Sequence, residues 1–252
     1  MQIAVTGHPG TGRDTVARAL RRCFGVRARR LADRGGADGG SSGSALPPDL
    51  AVHVLGAAVR DCDLSFLRRV DVPIVAVLGK CDLRGGAEEV RSLVARAARD
   101  LGRPVFGVSG PAAAAQVTED LRAALADWAV AGRWVPVLAA SFVDVDDPVE
   151  RARRTSALAE LGGRGLAVAL ERCAAEPTVS AAELTRHLRG FSGIGALAAP
   201  VRACAPVIAA ERERRHRRAL TLLAARGGGP DGGGSAGGAE TDRDRCEADL
   251  IR

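Results

Sequence analysis

The sequence has few aromatic residues and no tyrosine. Phe and Trp make up 3% of its 252 residues, whereas hydrophobic residues make up 46%. A core of this composition is built from Ala, Val and Leu, which favours helices and buried parallel strands over a β-sandwich. Proteins that bind single-stranded nucleic acid stack the bases on aromatic side chains, so we expect no nucleic-acid partner.

Lysine is almost absent as well. Lys80 is the only lysine, and arginine supplies nearly all of the positive charge behind the net charge of +6. Arginine at a position that normally holds lysine is therefore judged by what its chemistry permits. The six cysteines form no CxxC pair and have no metal-ligand spacing, which predicts reduced thiols. Met1 leads directly into a candidate strand without a basic leader, so the sequence predicts a cytoplasmic protein.

Strand and helix patterns alternate in the first half of the sequence. Short apolar runs predict strands at residues 2–6, 51–55, 73–78 and 104–108, and helical patterns occupy residues 13–24, 58–69, 87–101 and 116–131. Near-continuous apolar strands suit a mostly parallel sheet covered by helices on both faces. We therefore predict a three-layer α/β/α domain over residues 1–135. Residues 35–48, rich in Gly, Ser and Pro, predict a mobile loop that shortens the early part of the sheet.

The strand patterns stop near residue 145. An Asp-Pro pair marks one helix start, and Ser180 with Glu183 has the spacing of a capping box at another. The sequence thus predicts an all-α helical domain over residues 136–226. The Gly-rich stretch that follows cannot bury enough surface to fold, so residues 227–252 are predicted to be a disordered linker and tail.

The stretch "GHPGTGRDT", residues 7–15, lies between the first strand and the first helix. It has the glycine spacing of a phosphate-binding loop, in which backbone amides and the N-terminus of the next helix surround a phosphate. Because the amides belong to the backbone, we expect the loop geometry to survive changes of side chain. The candidate binding residues in this loop are Gly7, Gly10, Thr11, Gly12, Arg13, Asp14 and Thr15.

Two positions of the loop depart from the usual GxxxxGK[ST] pattern. Arg13 replaces the lysine that bridges two phosphates, and Asp14 replaces the hydroxyl that binds Mg²⁺. Arg13 keeps the charge but is longer and planar. A carboxylate at Asp14 would face phosphate oxygens, and like charges 4 Å apart repel by about 4 kcal/mol at an effective dielectric constant of about 20. Mg²⁺ or the Thr15 hydroxyl could offset this repulsion, and Asp14 would also suit a helix N-terminus as an ordinary acidic residue.

Two more motifs follow later strands. In "GKCDL", Lys80 and Asp82 match the NKxD motif of GTP-binding proteins, whose lysine lies along the guanine and whose aspartate accepts hydrogen bonds from it. Gly79 replaces the side chain that would brace the phosphate loop. An exposed turn at the strand end would explain the same residues. "PVFGVSG" ends in Ser109 and Gly110, where GTPases often have Ser-Ala beside the base.

A γ-phosphate switch is not evident in the sequence. The stretch "DRGG", residues 33–36, fits the DxxG pattern formally, but it lies too near the first helix and follows no clear strand. We interpret it as a chance match. Efficient hydrolysis needs such a switch and a threonine that binds Mg²⁺, so the sequence predicts weak hydrolysis at most.

With "GHPGTGRDTVARAL", "VPIVAVLGKCDL" and "PVFGVSG" in this order, the chain resembles the P-loop GTPases over residues 1 to about 130. The helical part after residue 145 resembles, by pattern, the stalk-side region of actinobacterial dynamin-like GTPases. The resemblance implies the P-loop three-layer fold, GTP or GDP with Mg²⁺ as ligands, and self-association or pairing with an intact related GTPase, often at a membrane surface. The changes in the motifs imply a degenerate member, a pseudo-GTPase.

Other interpretations remain open for the loop and for the basic stretch "ERERRHRR", residues 211–218. The loop also resembles the GxPGxGKxT loop of nucleotide kinases, with Thr15 as its final threonine, which would indicate an ATPase or phosphotransferase. A third interpretation of the chain is a scaffold protein with a vestigial nucleotide site. The basic stretch is typical of a solvated helical arm, and also of a helix that contacts acidic lipid, nucleic acid or a partner's acidic residues.

Overall fold

A computed structural model describes residues 1–30, 47–136 and 138–227. Within these residues, five parallel strands form one sheet in the order β2-β1-β3-β4-β5. The strands are β1 (Gln2–Gly7), β2 (Arg27–Arg30), β3 (Leu50–Leu55), β4 (Ile74–Leu78) and β5 (Val105–Gly107). The α/β fold predicted from the apolar runs is therefore confirmed.

Helices alternate with the strands, and the described chain after β5 is helical apart from its connecting loops. The helices are α1 (Arg13–Phe24), α2 (Asp61–Arg69), α3 (Ala87–Leu101), α4 (Gly110–Ala114), α5 (Glu119–Val130), α6 (Pro148–Ala175), α7 (Ala181–Phe191), α8 (Ala198–Ala203) and α9 (Ala205–Gly227). Short 3₁₀ turns occupy Cys81–Leu83, Ala139–Phe142 and Ile194–Leu197.

The strand β2 was not predicted. Its sequence is Arg-Ala-Arg-Arg, and of these residues only Ala28 is buried. An edge strand paired on one side needs little apolar surface, so no apolar run marks it. The loop predicted at residues 35–48 and the "DRGG" stretch lie largely or wholly outside the described residues, as does the tail predicted after Gly227.

Two large apolar clusters, and a smaller one that packs α3 against β4 and β5, hold the described elements together. In the first, α1 packs on one face of the sheet, with Leu20 and Val52 fully buried. In the second, α5, α6 and α7 pack around Leu161, Leu170 and Leu188. Both clusters lie in one compact unit, Met1–Ala210, and Glu211–Arg252 forms a second unit. The boundary predicted after residue 135 stays a prediction.

The helix starts predicted in the second half are confirmed. Asp147 caps α6 by accepting a hydrogen bond from the Val149 amide at 2.9 Å. Ser180 and Glu183 form the predicted capping box at the start of α7. One feature of α6 had no prediction: Gly162 has φ 69° and ψ 163°, a conformation that interrupts the helix with a kink.

A buried polar chain joins β1, β3 and α2. The Thr6 hydroxyl lies 3.0 Å from His53 Nδ1, and His53 Nε2 lies 2.8 Å from Asp63 Oδ1. Asp63 Oδ2 also accepts a hydrogen bond from the Arg60 amide, and the His53 ring stacks on Phe66. Burial lowers the pKa of His53, and the hydrogen bond with Asp63 opposes this shift without reversing it. The neutral ring therefore carries its proton on Nε2 and accepts the Thr6 hydroxyl at Nδ1.

No single described helix is long and apolar enough to cross a membrane. Ile194–Ala203 and Ala205–Ala225 meet the length and composition requirements only when they are taken together.

Candidate functional site

The candidate site lies at the carboxyl edge of the parallel sheet. From β1 the chain continues to β2 on one side and then to β3 on the other, so the sheet order reverses at β1. In open α/β sheets, ligands bind at the carboxyl ends of the strands beside such a reversal. The loop predicted to bind phosphate, residues 7–15, follows β1 at this point.

The backbone of this loop is set by glycines. A Cβ on Gly7, which has φ 127°, would lie 2.2 Å from the Val54 carbonyl oxygen, so β1 and β3 meet too closely there for a side chain. Gly12, with φ 94°, leads into α1 in the left-handed conformation. Thr11 closes the turn by donating from its amide and its hydroxyl to the His8 carbonyl, at 3.3 and 2.9 Å. No described residue lies within 4 Å of a Cβ position on Gly10.

Arg13 and Asp14 point in different directions. Arg13 begins α1 and is only 6% exposed. The Asp14 side chain is 76% exposed, and its carboxylate lies 3.4 Å from the Arg30 guanidinium on β2. An exposed carboxylate with a basic neighbour is screened by water. The repulsion between Asp14 and phosphate is therefore weaker than the sequence suggested.

The second motif lies directly against the phosphate loop. Lys80 adopts φ 57° and is the residue other than glycine with positive φ in the described chain. A Cβ on Gly12 would lie 3.7 Å from Lys80 Cγ, so the lysine stem covers the loop at its last glycine. Strain of this kind is costly and occurs most often at functional sites.

Gly79 is required by this arrangement. A Cβ at this position would lie 2.4 Å from the Thr11 carbonyl oxygen and 2.8 Å from Val54 Cγ1. The GTPase pattern places a side chain that braces the phosphate loop at this position, and Gly79 lacks one. In the structure, the backbone of β4 braces the loop directly, and no side chain fits between them.

The third motif joins the same cluster. The Cys81 amide donates to the Val108 carbonyl at 3.4 Å, which places the end of β5 beside the turn that holds Asp82. A Cβ on Gly110 would lie 2.8 Å from Thr15 Cγ2, so the Ser109-Gly110 turn also packs on the first turn of α1. All of the predicted site residues therefore gather at one edge of the sheet.

Two oxygen atoms in this cluster are buried without a partner. Asp82 Oδ1 and Ser109 Oγ receive no hydrogen bond from any described residue. Both belong to residues that were predicted to lie beside a nucleotide base. Buried polar atoms are nearly always satisfied in proteins, so these two oxygens mark a place where a ligand with hydrogen-bond donors would be stabilised.

Residues of the helical part that were not predicted also reach this edge of the sheet. The Ser109 amide donates to the Ser192 carbonyl at 2.9 Å. Gly162, at the kink of α6, lies beside Asp82 and Pro111. The only signal for the kink was the glycine run "GGRG" inside an otherwise helical pattern.

The site suits phosphate better than a metal held by the protein. Asp14 faces Arg30, and β3 is followed by Gly56, Ala57 and Ala58, which carry no carboxylate. Mg²⁺ in nucleotide sites is usually held by one or two protein oxygens together with the phosphates. In the parts of the chain that the structure covers, no three His, Cys, Asp or Glu side chains are placed to hold a metal ion.

A cavity of about 440 Å³ lies elsewhere, between α1, α5 and α6. Its charged side chains include Arg22 and Glu160, which pair with each other at 2.8 Å. Arg22 lies near the end of α1 opposite the phosphate loop, about 14 Å along the helix at 1.5 Å per residue. The cavity is therefore separate from the candidate site.

The basic stretch at residues 211–218 is helical, as predicted, and lies in α9. Its arginines form ion pairs along the helix, with Arg214 2.7 Å from Glu211 and Arg217 2.8 Å from Glu213. Leu220 and Leu223 in the same helix are exposed.

No protein-family model matches the chain, and no curated protein matches it. Among solved structures, a crystal structure of a point variant of Era from Aquifex aeolicus, bound to GDP·AlF4−, is similar at 15% sequence identity with a TM-score of 0.30. The similar region covers 43% of this chain and 50% of that one, so the match extends over about half the length of either chain.

Proposed function

We propose that this chain is a degenerate P-loop GTPase, which binds GDP or GTP at the carboxyl edge of its sheet and hydrolyses GTP weakly or not at all. The observation that carries the proposal is the contact between two motifs that are distant in sequence. The Lys80 stem lies on Gly12 of the phosphate loop, at the strand end where a guanine-binding lysine is expected.

Phosphate binding is supported by the backbone of the loop. The amides in the first turn of α1 have no acceptor within the helix, and the helix dipole adds partial positive charge at the same place. Arg13, which keeps the positive charge of the usual lysine, is buried at the start of the same helix. Asp14 does not oppose binding strongly, since its carboxylate turns towards Arg30.

Base binding is supported by Asp82 and Ser109. Guanine presents two N–H groups on one edge, and a carboxylate can accept hydrogen bonds from both. Asp82 Oδ1 and Ser109 Oγ are buried without a partner among the described residues, so a base with N–H donors would remove an existing energetic cost.

Weak or absent hydrolysis is supported by what surrounds the loop. The position that would bind Mg²⁺ through a hydroxyl is Asp14, and no carboxylate follows β3 at Gly56–Ala58. Any Mg²⁺ would then be held mainly by the phosphates and water. A chain of this kind acts by binding, and we propose that it acts through self-association or through an intact related GTPase.

We further propose that the protein is cytoplasmic and that α9 gives it a peripheral contact with membranes. The arginines at residues 211–218 and the exposed Leu220 and Leu223 support this proposal, because cationic and apolar side chains together favour binding to an acidic lipid surface. The ion pairs within the helix reduce its effective charge.

Equilibrium binding of labelled GDP, GTP and ATP tests the proposed function. We expect guanine nucleotides to bind more tightly than ATP, and Lys80→Ala to weaken GDP binding by about tenfold through loss of the stem and its charge. Arg96→Ala removes an exposed charge from α3 and serves as the control. Preference for ATP, or unchanged GDP binding by Lys80→Ala, would contradict the guanine assignment.

Two further measurements separate the alternatives. Multiple turnover of ATP at ordinary enzyme rates would support an ATPase or nucleotide kinase instead. Thermal unfolding with millimolar nucleotide tests the scaffold alternative, because a ligand that binds only the native state must raise its stability. No shift with any nucleotide would support a scaffold with a vestigial site.

A further inference from the structure

The kink of α6 depends on glycine. Gly162 has φ 69° and ψ 163°, a region of backbone space that is open almost only to glycine. The helix continues on both sides of this residue, from Pro148 to Ala175. The path of the α6 backbone at this point therefore requires a glycine.

That point lies against the two motifs assigned to the base. A Cβ on Gly162 would lie 3.2 Å from Pro111 Cβ, directly after the Ser109-Gly110 turn, and 3.6 Å from Asp82 Oδ2. The α6 backbone at Gly162 thus lies beside Oδ2 of the Asp82 carboxylate. A guanine that donated to both oxygens of Asp82 would need the same space.

The contact with α6 leaves the Asp82 carboxylate without a full set of hydrogen bonds. Asp82 Oδ1 is buried, and no described group donates a hydrogen bond to it. Gly162 has no side chain that could donate a hydrogen bond to the carboxylate. Asp82 Oδ1 is thus buried without a hydrogen bond while α6 lies beside Oδ2, and a ligand whose N–H donors reached this carboxylate would remove that energetic cost.

We propose that the kink of α6 is an internal cover of the base site, so that docking of α6 and binding of a guanine base exclude each other. This inference rests on the proposed function and adds a form of regulation to it. None of the residues that the structure describes covers the phosphate loop in this way, since Gly10 has no described neighbour within 4 Å of a Cβ position and Asp14 is exposed. A ligand with phosphates but no base therefore binds without moving α6, whereas GDP must displace it.

The consequence is measurable as a difference between two ligands. Apparent affinity falls in proportion to the fraction of molecules that are competent to bind. The fraction with α6 undocked limits GDP and leaves tripolyphosphate unaffected. In turn, GDP releases α6. The position of the helical part of the chain then depends on bound nucleotide, although the sequence shows no γ-phosphate switch.

Calorimetric titration of the full chain with GDP and with tripolyphosphate tests the proposal. Gly162→Ala introduces a side chain that the kink does not tolerate, and so favours an undocked α6. We expect GDP affinity to rise by about tenfold and tripolyphosphate affinity to stay within about twofold of the wild type. Gly132→Ala is the matched control, because Gly132 also has positive φ, at 63°, but has nothing within 4 Å.

Pro111→Ala provides a second variant if Gly162→Ala does not fold. It removes ring atoms against which the kink packs, and we expect a smaller gain in GDP affinity, about threefold. Hydrogen exchange of the wild type gives an independent readout. GDP should speed amide exchange in α6 around residues 158–166, and tripolyphosphate should not.

The outcomes separate this inference from the function on which it rests. If neither ligand binds, the proposed function is wrong and the inference fails with it. If both ligands bind but GDP slows exchange in α6, or if neither variant raises GDP affinity, then α6 does not cover the base site, while nucleotide binding stands.

Discussion

Gly79→Ala is the sharpest perturbation of the phosphate loop. The added Cβ would lie 2.4 Å from the Thr11 carbonyl oxygen, and contacts under 3.0 Å essentially never occur, so loop and strand must separate by at least about 0.6 Å. The obstacle is backbone on both sides and cannot rotate away. Overpacking of this kind costs about 1–3 kcal/mol.

The same shift moves the amides that would hold phosphate. Thr11 also ties the loop together through His8, so its displacement distorts the whole turn. We expect tripolyphosphate affinity to fall by about tenfold, in line with the sensitivity of such sites to displacements near 1 Å. For a protein of this size, a loss of about 2 kcal/mol lowers the melting temperature by about 4–8 °C.

Calorimetry with tripolyphosphate and thermal unfolding measure the two effects. Gly190→Ala is the control, because Gly190 lies in α7 with nothing within 4 Å of a Cβ position. Alanine there should leave binding unchanged and stabilise the helix by up to about 1 kcal/mol. If Gly79→Ala binds tripolyphosphate like the wild type and melts within about 1 °C of it, the close contact between β4 and the loop does not support the site.

Three further predictions concern the buried polar groups. His53→Leu leaves Asp63 and the Thr6 hydroxyl without their shared partner in the core, and we expect a loss of about 3–4 kcal/mol in urea unfolding. In the wild type, the lowered pKa of His53 means that the unfolded chain binds a proton which the native state excludes. The free energy of unfolding should have its full value above about pH 6.5 and fall as the pH drops below it. If the free energy of unfolding changes equally between pH 7 and pH 5 in the wild type and in His53→Leu, this assignment is wrong. Arg154→Met removes the guanidinium that binds Glu150 at 2.7 Å, and should cost about 2 kcal/mol; a melting temperature within about 1 °C of the wild type would show that the pair adds nothing.

Much of the fold could be predicted from local patterns. Apolar runs predict β1, β3, β4 and β5 because buried parallel strands need apolar side chains on both faces. The Asp147 cap and the Ser180 capping box mark helix starts, since their side chains satisfy nearby amides. The phosphate loop is largely local as well, because its glycines and the hydrogen bonds from Thr11 to His8 lie within a few residues of one another.

The residues of the three motifs could be predicted from the sequence, but the charges that surround them could be predicted only in part. Sequence placed Asp14 against phosphate, whereas the structure turns it to Arg30 on β2, a strand with no apolar signature. The sequence pattern also makes Gly79 a position that has lost its bracing side chain, whereas in the structure the Thr11 carbonyl lies so close that no larger residue fits. Both differences arise from neighbours that are distant along the chain.

By itself, the sequence determined most of the strands and helices, with β2 as an exception, and it placed three candidate ligand-binding motifs at strand ends. Only the tertiary structure decided that Lys80 lies on Gly12, that His53 and Asp63 share a buried hydrogen bond, and that the kink at Gly162 meets Asp82. The physical reason is that periodic burial and backbone preference act within a few residues, whereas these contacts depend on how separate elements pack.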